Sequence, residues 1–148
     1  MNTSLVRALC SFTIACPVFL SQAAWPQAIF RTEIHPVQTV TLSTADFLLG
    51  KTDGKPVTIA GELRIPKPGT DRIPAVVLVH GSGGINFNHG MWAGELNKAG
   101  FATFVPDSFT GRGIANTILD QAQLSSFAMM NDAFAALAVL AKHPRIDP

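Results

Sequence analysis

Hydrophobic and polar positions fall into two regimes along the chain, strand-like in its first half and helical in its second. Val37 to Phe47 and Val57 to Ile65 are rich in Val, Thr, Ile and Leu. The turn-forming run Lys51-Thr52-Asp53-Gly54-Lys55-Pro56 separates them, which predicts an antiparallel pair of strands. After a break at Pro66 to Asp71, Ala75 to His80 is a nearly continuous apolar run. Its lack of alternation predicts a strand covered on both faces, as in a parallel sheet between helices.

That strand leads into Gly81-Ser82-Gly83-Gly84. A helical stretch follows in which Trp92, Leu96 and Ala99 recur at helical spacing, with Gly100 as its stop. Phe101 to Val105 predicts the next strand, closed by Pro106-Asp107, and Ser108 to Gly113 a polar loop. From Ser125 to Lys142, Phe127, Met130, Phe134 and Leu137 repeat three and four apart, with Met129, Ala133, Ala136 and Leu140 on an adjoining face. This predicts a well-buried amphipathic helix whose Met and Phe stripe belongs to the core. A crossover helix of this kind normally delivers a further parallel strand, and His143 to Pro148 is too short to build one, so a truncated chain is expected.

The first residues have a different pattern. Arg7, the mostly apolar run Ala8 to Leu20 and the small residues Ser21 and Ala23 predict a secretory signal peptide over residues 1–23. The run is shorter than the roughly 20 residues a membrane span needs, so no stable membrane insertion is expected after cleavage. A lipid anchor at Cys16 is the rival reading, and Thr13 and Pro17 are poor matches to it. Both cysteines, Cys10 and Cys16, fall in the removable segment, so the mature chain, residues 24–148, can form no disulfide. A periplasmic or secreted location follows.

Composition removes other classes. With 47% hydrophobic and 14% charged residues in 148, and 11 Lys plus Arg against 10 Asp plus Glu, the chain suits one cored domain. A net charge of +1 without a basic block gives no electrostatic footprint for nucleic acid.

Candidate chemistry centres on the glycine loop. A strand, a glycine-rich turn and a helix can cradle an anion with converging backbone N–H groups. The phosphate-loop pattern fails because no Lys occurs between Lys67 and Lys98. The dinucleotide fingerprint begins with Gly81 and Gly83 but meets Asn86 at its third glycine. An oxyanion hole, in which loop N–H groups bind the oxygen that becomes negative during acyl transfer, and a plain strand-to-helix turn both stay open. His35, His89, His143 and Asp107 are scattered and show no metal-ligand spacing, so no metal site is expected. Asp107 and Arg112 flank the loop after the second apolar strand, where an ion pair between them would order it.

Ala75 to Gly84, Leu96-Asn97-Lys98-Ala99-Gly100-Phe101, Pro106-Asp107-Ser108-Phe109 with Gly111-Arg112-Gly113, and Ala133 to Pro144, in that order, resemble the N-terminal half of a dienelactone-hydrolase-like α/β-hydrolase. The resemblance implies an α/β fold with a mostly parallel sheet flanked by helices, truncated before the nucleophile elbow. It implies hydrolysis of a small-molecule ester or lactone through an acyl-enzyme, without a cofactor. Ser82 and Gly83 would supply one oxyanion N–H, Gly81 and Gly84 would shape the turn, and His80 would order the loop. The nucleophile, acid and catalytic His are expected downstream, since neither Ser82 nor Ser108 stands in a GxSxG elbow. Rival readings are a peptidase or deacetylase of the same superfamily, and a non-catalytic binding protein that keeps the fold.

In the resembling fold the Ala75 to His80 strand is central, and a truncated chain would leave Val76 to Val79 on an open edge. The 148-residue chain expressed alone is therefore expected to be inert and to aggregate or oligomerise. A sharp monomer peak in light scattering would contradict this.

Overall fold

The computed structural model describes residues 30–148. Residues 1–23, expected to form a signal peptide and containing Cys10 and Cys16, lie outside the described residues. Strand β1, Arg31–Thr41, pairs antiparallel with β2, Lys55–Ile65, Val37 facing Ile59. The first strand was expected to run on to Phe47, but the chain leaves the sheet at Thr41 and forms a short helix, α1, Thr44–Leu48. Ser43 is the reason: its Oγ accepts from Asp46 N at 3.1 Å, a helix cap that competes with strand continuation.

Strand β3 is Ala75–Val77, shorter than expected, with Leu78 N adding a 2.8 Å bond to Phe104 O before the backbone turns into the glycine loop. Helix α2, Phe87–Lys98, crosses over to β4, Ala102–Asp107. The sheet order is β1-β2-β4-β3. It is mixed rather than mostly parallel: β2 pairs with both β1 and β4 antiparallel, and β3 with β4 is parallel. Among the described strands only β3 and β4 are joined by a helical crossover, which a parallel pair requires. Helix α3, Ser126–Leu140, follows, and the next residues return to the sheet, where Ile146 forms a parallel bridge with Ile73 just ahead of β3. No helix among the described residues is long and apolar enough to cross a membrane.

Side chains of neighbouring strand residues point to opposite faces, and β4 shows what this does. Thr103 meets Asn97 of α2, while Phe104 joins Val37, Ile59, Leu63, Ala136 and Leu140 in the main core. The two helices therefore cover opposite faces of the sheet. Their inward stripes differ from those expected. In α2, Ala93 and Asn97 are buried and Trp92 is 59% exposed. In α3, Ala128, Asp132, Ala136 and Leu140 face inward, whereas Met130, Phe134 and Leu137 are 46%, 59% and 50% exposed. A helix with two stripes at four-residue spacing has no unique inward face by periodicity. Small side chains decide it here, because they let the helix axis approach the sheet closely.

Close approach also explains Gly61, central in β2 between His35 of β1 and Pro106 of β4. A Cβ at Gly61 would lie 2.1 Å from Phe104 Cζ. Gly61→Ala is expected to lower stability by about 1–3 kcal/mol through overpacking, with part of the loss recovered when Phe104→Leu is added. Urea denaturation midpoints measure both, and an unchanged midpoint for the single variant would refute the close packing.

Candidate active site at the glycine loop

Leaving β3, the chain makes a tight turn closed by Gly84 N donating to Gly81 O at 3.0 Å. Gly84 has φ of +74°, the left-handed region that favours glycine. Gly81 and Gly83 lack positive φ, so the turn's conformational demand falls on Gly84. Ser82 O accepts from Thr117 N at 2.8 Å, which ties the loop to the segment before α3. The backbone N–H groups of Ser82 and Gly83 donate to no described residue.

His80 fixes the loop from below. It is buried, and Ser108 N–H donates to its Nε2 at 3.1 Å. Its proton is therefore on Nδ1, which donates to Gly81 O at 2.9 Å. Phe109 packs edge-on against the ring at 4.4 Å. With both nitrogens engaged, His80 has no lone pair for a substrate proton and acts as a strut between the ends of β3 and β4. Ser108 is fully buried and its Oγ has no partner among the described residues. His89 is the third residue of α2, where its Nδ1 accepts from Asn86 N at 3.2 Å in a helix cap.

The expected Asp107–Arg112 ion pair does not form. Asp107 Oδ1 accepts from the backbone N–H groups of Phe109 and Thr110, each at 3.0 Å, and Oδ2 accepts from Thr110 Oγ1. Partial burial opposes the charge, but these donors outweigh it and hold the carboxyl below its usual range. Arg112 turns the other way, to Asp132 of α3. Its NH1 and NH2 donate to Asp132 Oδ2 and Oδ1 at 2.8 and 2.9 Å. Further bonds run from Nε to Thr41 Oγ1 and from NH1 to Ser108 O, and Thr39 Oγ1 donates to Asp132 Oδ1. The backbone N–H donors that Asp107 meets at the strand end satisfy it locally, so Arg112 is left for a more distant acid.

Between the loop and α3 lies a cavity of about 570 Å³. Val79, Leu124, Met129, Met130, Ala133 and Phe134 form its apolar walls, and Gly81 and Ser82 lie along one side. The outward stripe of α3 thus faces the glycine loop.

His35 and His143, expected to be scattered, come together with Glu33 at the other end of α3, all three ligand atoms within 4.8 Å of one another. Glu33 Oε2 accepts from His35 Nε2 at 2.8 Å and from His143 Nε2 at 3.2 Å, and Oε1 pairs with Arg31. Burial works against the Glu33 charge, yet the two histidines and Arg31 keep its pKa below the ordinary value. Arg145 N–H donates to His143 Nδ1, which puts the ring proton on Nε2, where a metal would have to bind. The trio therefore works as a hydrogen-bonded clasp between β1 and the segment after α3.

Neither a protein-family model nor a curated protein matches the sequence. Among solved structures, a protein described as a dienelactone hydrolase, from Klebsiella pneumoniae subsp. pneumoniae, is similar at TM-score 0.51 and 18% identity over 78% of this chain. The fold is dienelactone-hydrolase-like. A hypothetical protein of Pseudomonas aeruginosa is similar at TM-score 0.50 and 22% identity, again over 78% of the chain. The chain spans 46% and 32% of the lengths of these two proteins.

Within this dienelactone-hydrolase-like fold the structure brings together His80, Gly81, Ser82, Gly83 and Gly84 and leaves Asp107 and Arg112 to order the neighbouring loop. Sequence reasoning missed Asp132, although the signal was present: it is the sole charged residue of α3. Such an acid on a buried stripe needs a partner. Asp132→Ala is expected to cost about 3–5 kcal/mol, because it strands a buried guanidinium. The double variant Arg112→Met, Asp132→Leu should lose less than the single one. Thermal or urea unfolding of the two variants measures the difference, and a single variant as stable as the parent would show that the pair contributes nothing.

Proposed function

We propose that this chain supplies the oxyanion-binding part of an exported hydrolase that cleaves a small-molecule carboxylic ester or lactone through an acyl-enzyme. The observation that carries this reading is the pair of N–H groups on Ser82 and Gly83, without an acceptor among the described residues, in a loop whose Gly81 and Ser82 line an open cavity at the C-terminal end of β3. In open α/β sheets ligands collect at that end of the strands. An unpaired backbone donor there gains an acceptor when a carbonyl oxygen becomes an alkoxide.

In the proposed reaction a hydroxyl or thiol nucleophile gives its proton to the catalytic His and adds to the acyl carbon, and the carbonyl oxygen takes the electron pair. Ser82 or Gly83 N–H donates to that oxygen, and a second donor comes from the residue after the nucleophile. Collapse of the adduct expels the alcohol, which takes a proton from the catalytic His, and water then releases the acid. Nucleophile, His and acid are assigned to residues outside the 148 of this chain, because no GxSxG elbow is among them. Residues 1–23 are assigned as the cleaved export signal, and the chemistry calls for no cofactor.

The first test is to read the encoding frame past Pro148. A strand followed by GxSxG, or its Cys counterpart, within about 20 residues supports the reading; a stop codon directly after Pro148 overturns it. In the longer protein, Ser82→Pro removes one oxyanion donor at a turn position that accepts proline. Its kcat on a p-nitrophenyl ester should fall about 10²–10³-fold with KM little changed, while circular dichroism and Tm stay at parental values. A kcat equal to that of the parent would remove Ser82 from the oxyanion hole.

A further inference from the structure

The hydrogen-bond geometry of the Glu33, His35 and His143 clasp ties it to pH. The clasp lies on β1, at the edge of the sheet opposite β3, and depends neither on the glycine loop nor on the hydrolase reading. Both histidines donate from Nε2 to the same oxygen, Glu33 Oε2, and their rings meet edge-on at 5.6 Å. Their Nδ1 atoms differ. That of His35 meets no donor among the described residues, whereas that of His143 accepts from Arg145 N at 3.2 Å. His35 can therefore take a proton on Nδ1 without losing a bond. A proton on His143 Nδ1 would set one N–H against another and has to break the clasp.

The surrounding charges act in the same direction. Arg31 already pairs with Glu33, and Lys142 borders the groove that His35 and His143 line. Arg145 turns its guanidinium to the backbone carbonyls of Asp71 and Lys67. The neighbouring elements add no charge: β2 sets Ile65, Leu63 and Gly61 opposite Arg31, Glu33 and His35, β4 sets Phe104 against the His35 ring, and α3 borders the groove with alanines and Val139. Among the described residues Glu33 is the one carboxylate within hydrogen-bond reach of either ring. Burial opposes its charge, but the histidines and Arg31 hold its pKa below the ordinary value, so it stays ionised through the pH range in which histidines titrate.

We propose that the clasp is a latch that releases the segment after α3 in acid. That segment carries the bridge between Ile146 and Ile73, where Ile73 N donates to Arg145 O and Asp147 N to Ile73 O, just ahead of β3. Opening the latch loosens the entry to the strand whose far end bears the glycine loop. The direction follows from counting protons. His35 and Glu33 both belong to β1 and stay paired whether or not the segment detaches, so the proton on His35 is common to the two states. His143 is neutral in the closed state and takes a proton in the open one. The open state therefore binds one proton more, and acid favours it.

Amide hydrogen exchange on the full encoded protein, corrected for intrinsic rates, tests this. Protection of the Ile73 and Asp147 amides should be level near about pH 7.5 and fall about tenfold per pH unit between about pH 6 and about pH 5, while the ladder amides of β2 keep theirs. His143→Gln retains a donor for Glu33 but cannot titrate, and should abolish the fall. No fall in the parent, an equal fall in His143→Gln, or a parallel loss at β2 would overturn the latch. Should His143→Gln not fold, the imidazole nitrogen NMR shifts of the parent decide. While the segment is still protected at about pH 6, they should show His143 as the neutral Nε2–H tautomer beside a charged His35; a charged His143 in a protected segment would overturn the proposal.

Discussion

The buried pair between Arg112 and Asp132 is the constraint on which the site's architecture depends. Side-chain exposures of 6% and 0% leave neither charge in water, so each needs the other and every remaining donor and acceptor must be met nearby. Thr39 and Thr41 of β1, Ser108 O after β4, and Asn131 of α3 through Thr39 complete the shell. A bidentate guanidinium–carboxylate contact is strict about direction. It fixes how far α3 lies from β1, and it pulls the loop after β4 under the helix. That loop in turn offers Ser108 N–H to His80, and His80 holds the carbonyl of Gly81. The chain of contacts from a helix acid to the glycine turn is continuous.

This is also where legibility in the sequence ended. The strands of the glycine-loop unit, the crossover helix, the loop itself and the ordered resemblance could be read from local pattern, because turn residues and apolar runs act within a few residues. The inward faces of α2 and α3 could not. Both helices offer competing stripes, and choosing between Phe134 and Ala136 requires knowing that a sheet with the bulk of Phe104 waits on one side. The Asp107–Arg112 expectation failed for a related reason. Proximity in sequence favoured that pair, but backbone N–H groups satisfied Asp107 first, and the partner of Arg112 sits 20 residues on.

The inward face of β1 shows how polar groups can be placed in a small core. Glu33, His35, Val37, Thr39 and Thr41 alternate onto the α3 side. The acid and histidine at one end clasp His143, the threonines at the other support the Arg112 pair, and Val37 alone joins the apolar cluster. Helix α3 is therefore held by directional bonds at Asp132 and, just past its C-terminus, at His143, and by dispersion between them. Its buried side chains in between can be as small as alanine, and the larger Met and Phe side chains are left on the face that borders the cavity.

That distribution bears on how the loop would act on a developing oxyanion. Hydrogen-bond donors are effective in catalysis when they are already oriented, since no reorganisation is then needed as charge appears. The glycine turn is held at three unlike points: His80 on Gly81 O, Thr117 N on Ser82 O, and the left-handed Gly84 that closes it. Each anchor uses a carbonyl or a backbone angle and leaves the N–H groups of Ser82 and Gly83 unused. The anchors fix the direction of N–H groups that meet no acceptor among the described residues, and the proposed oxyanion role rests on that preorganisation.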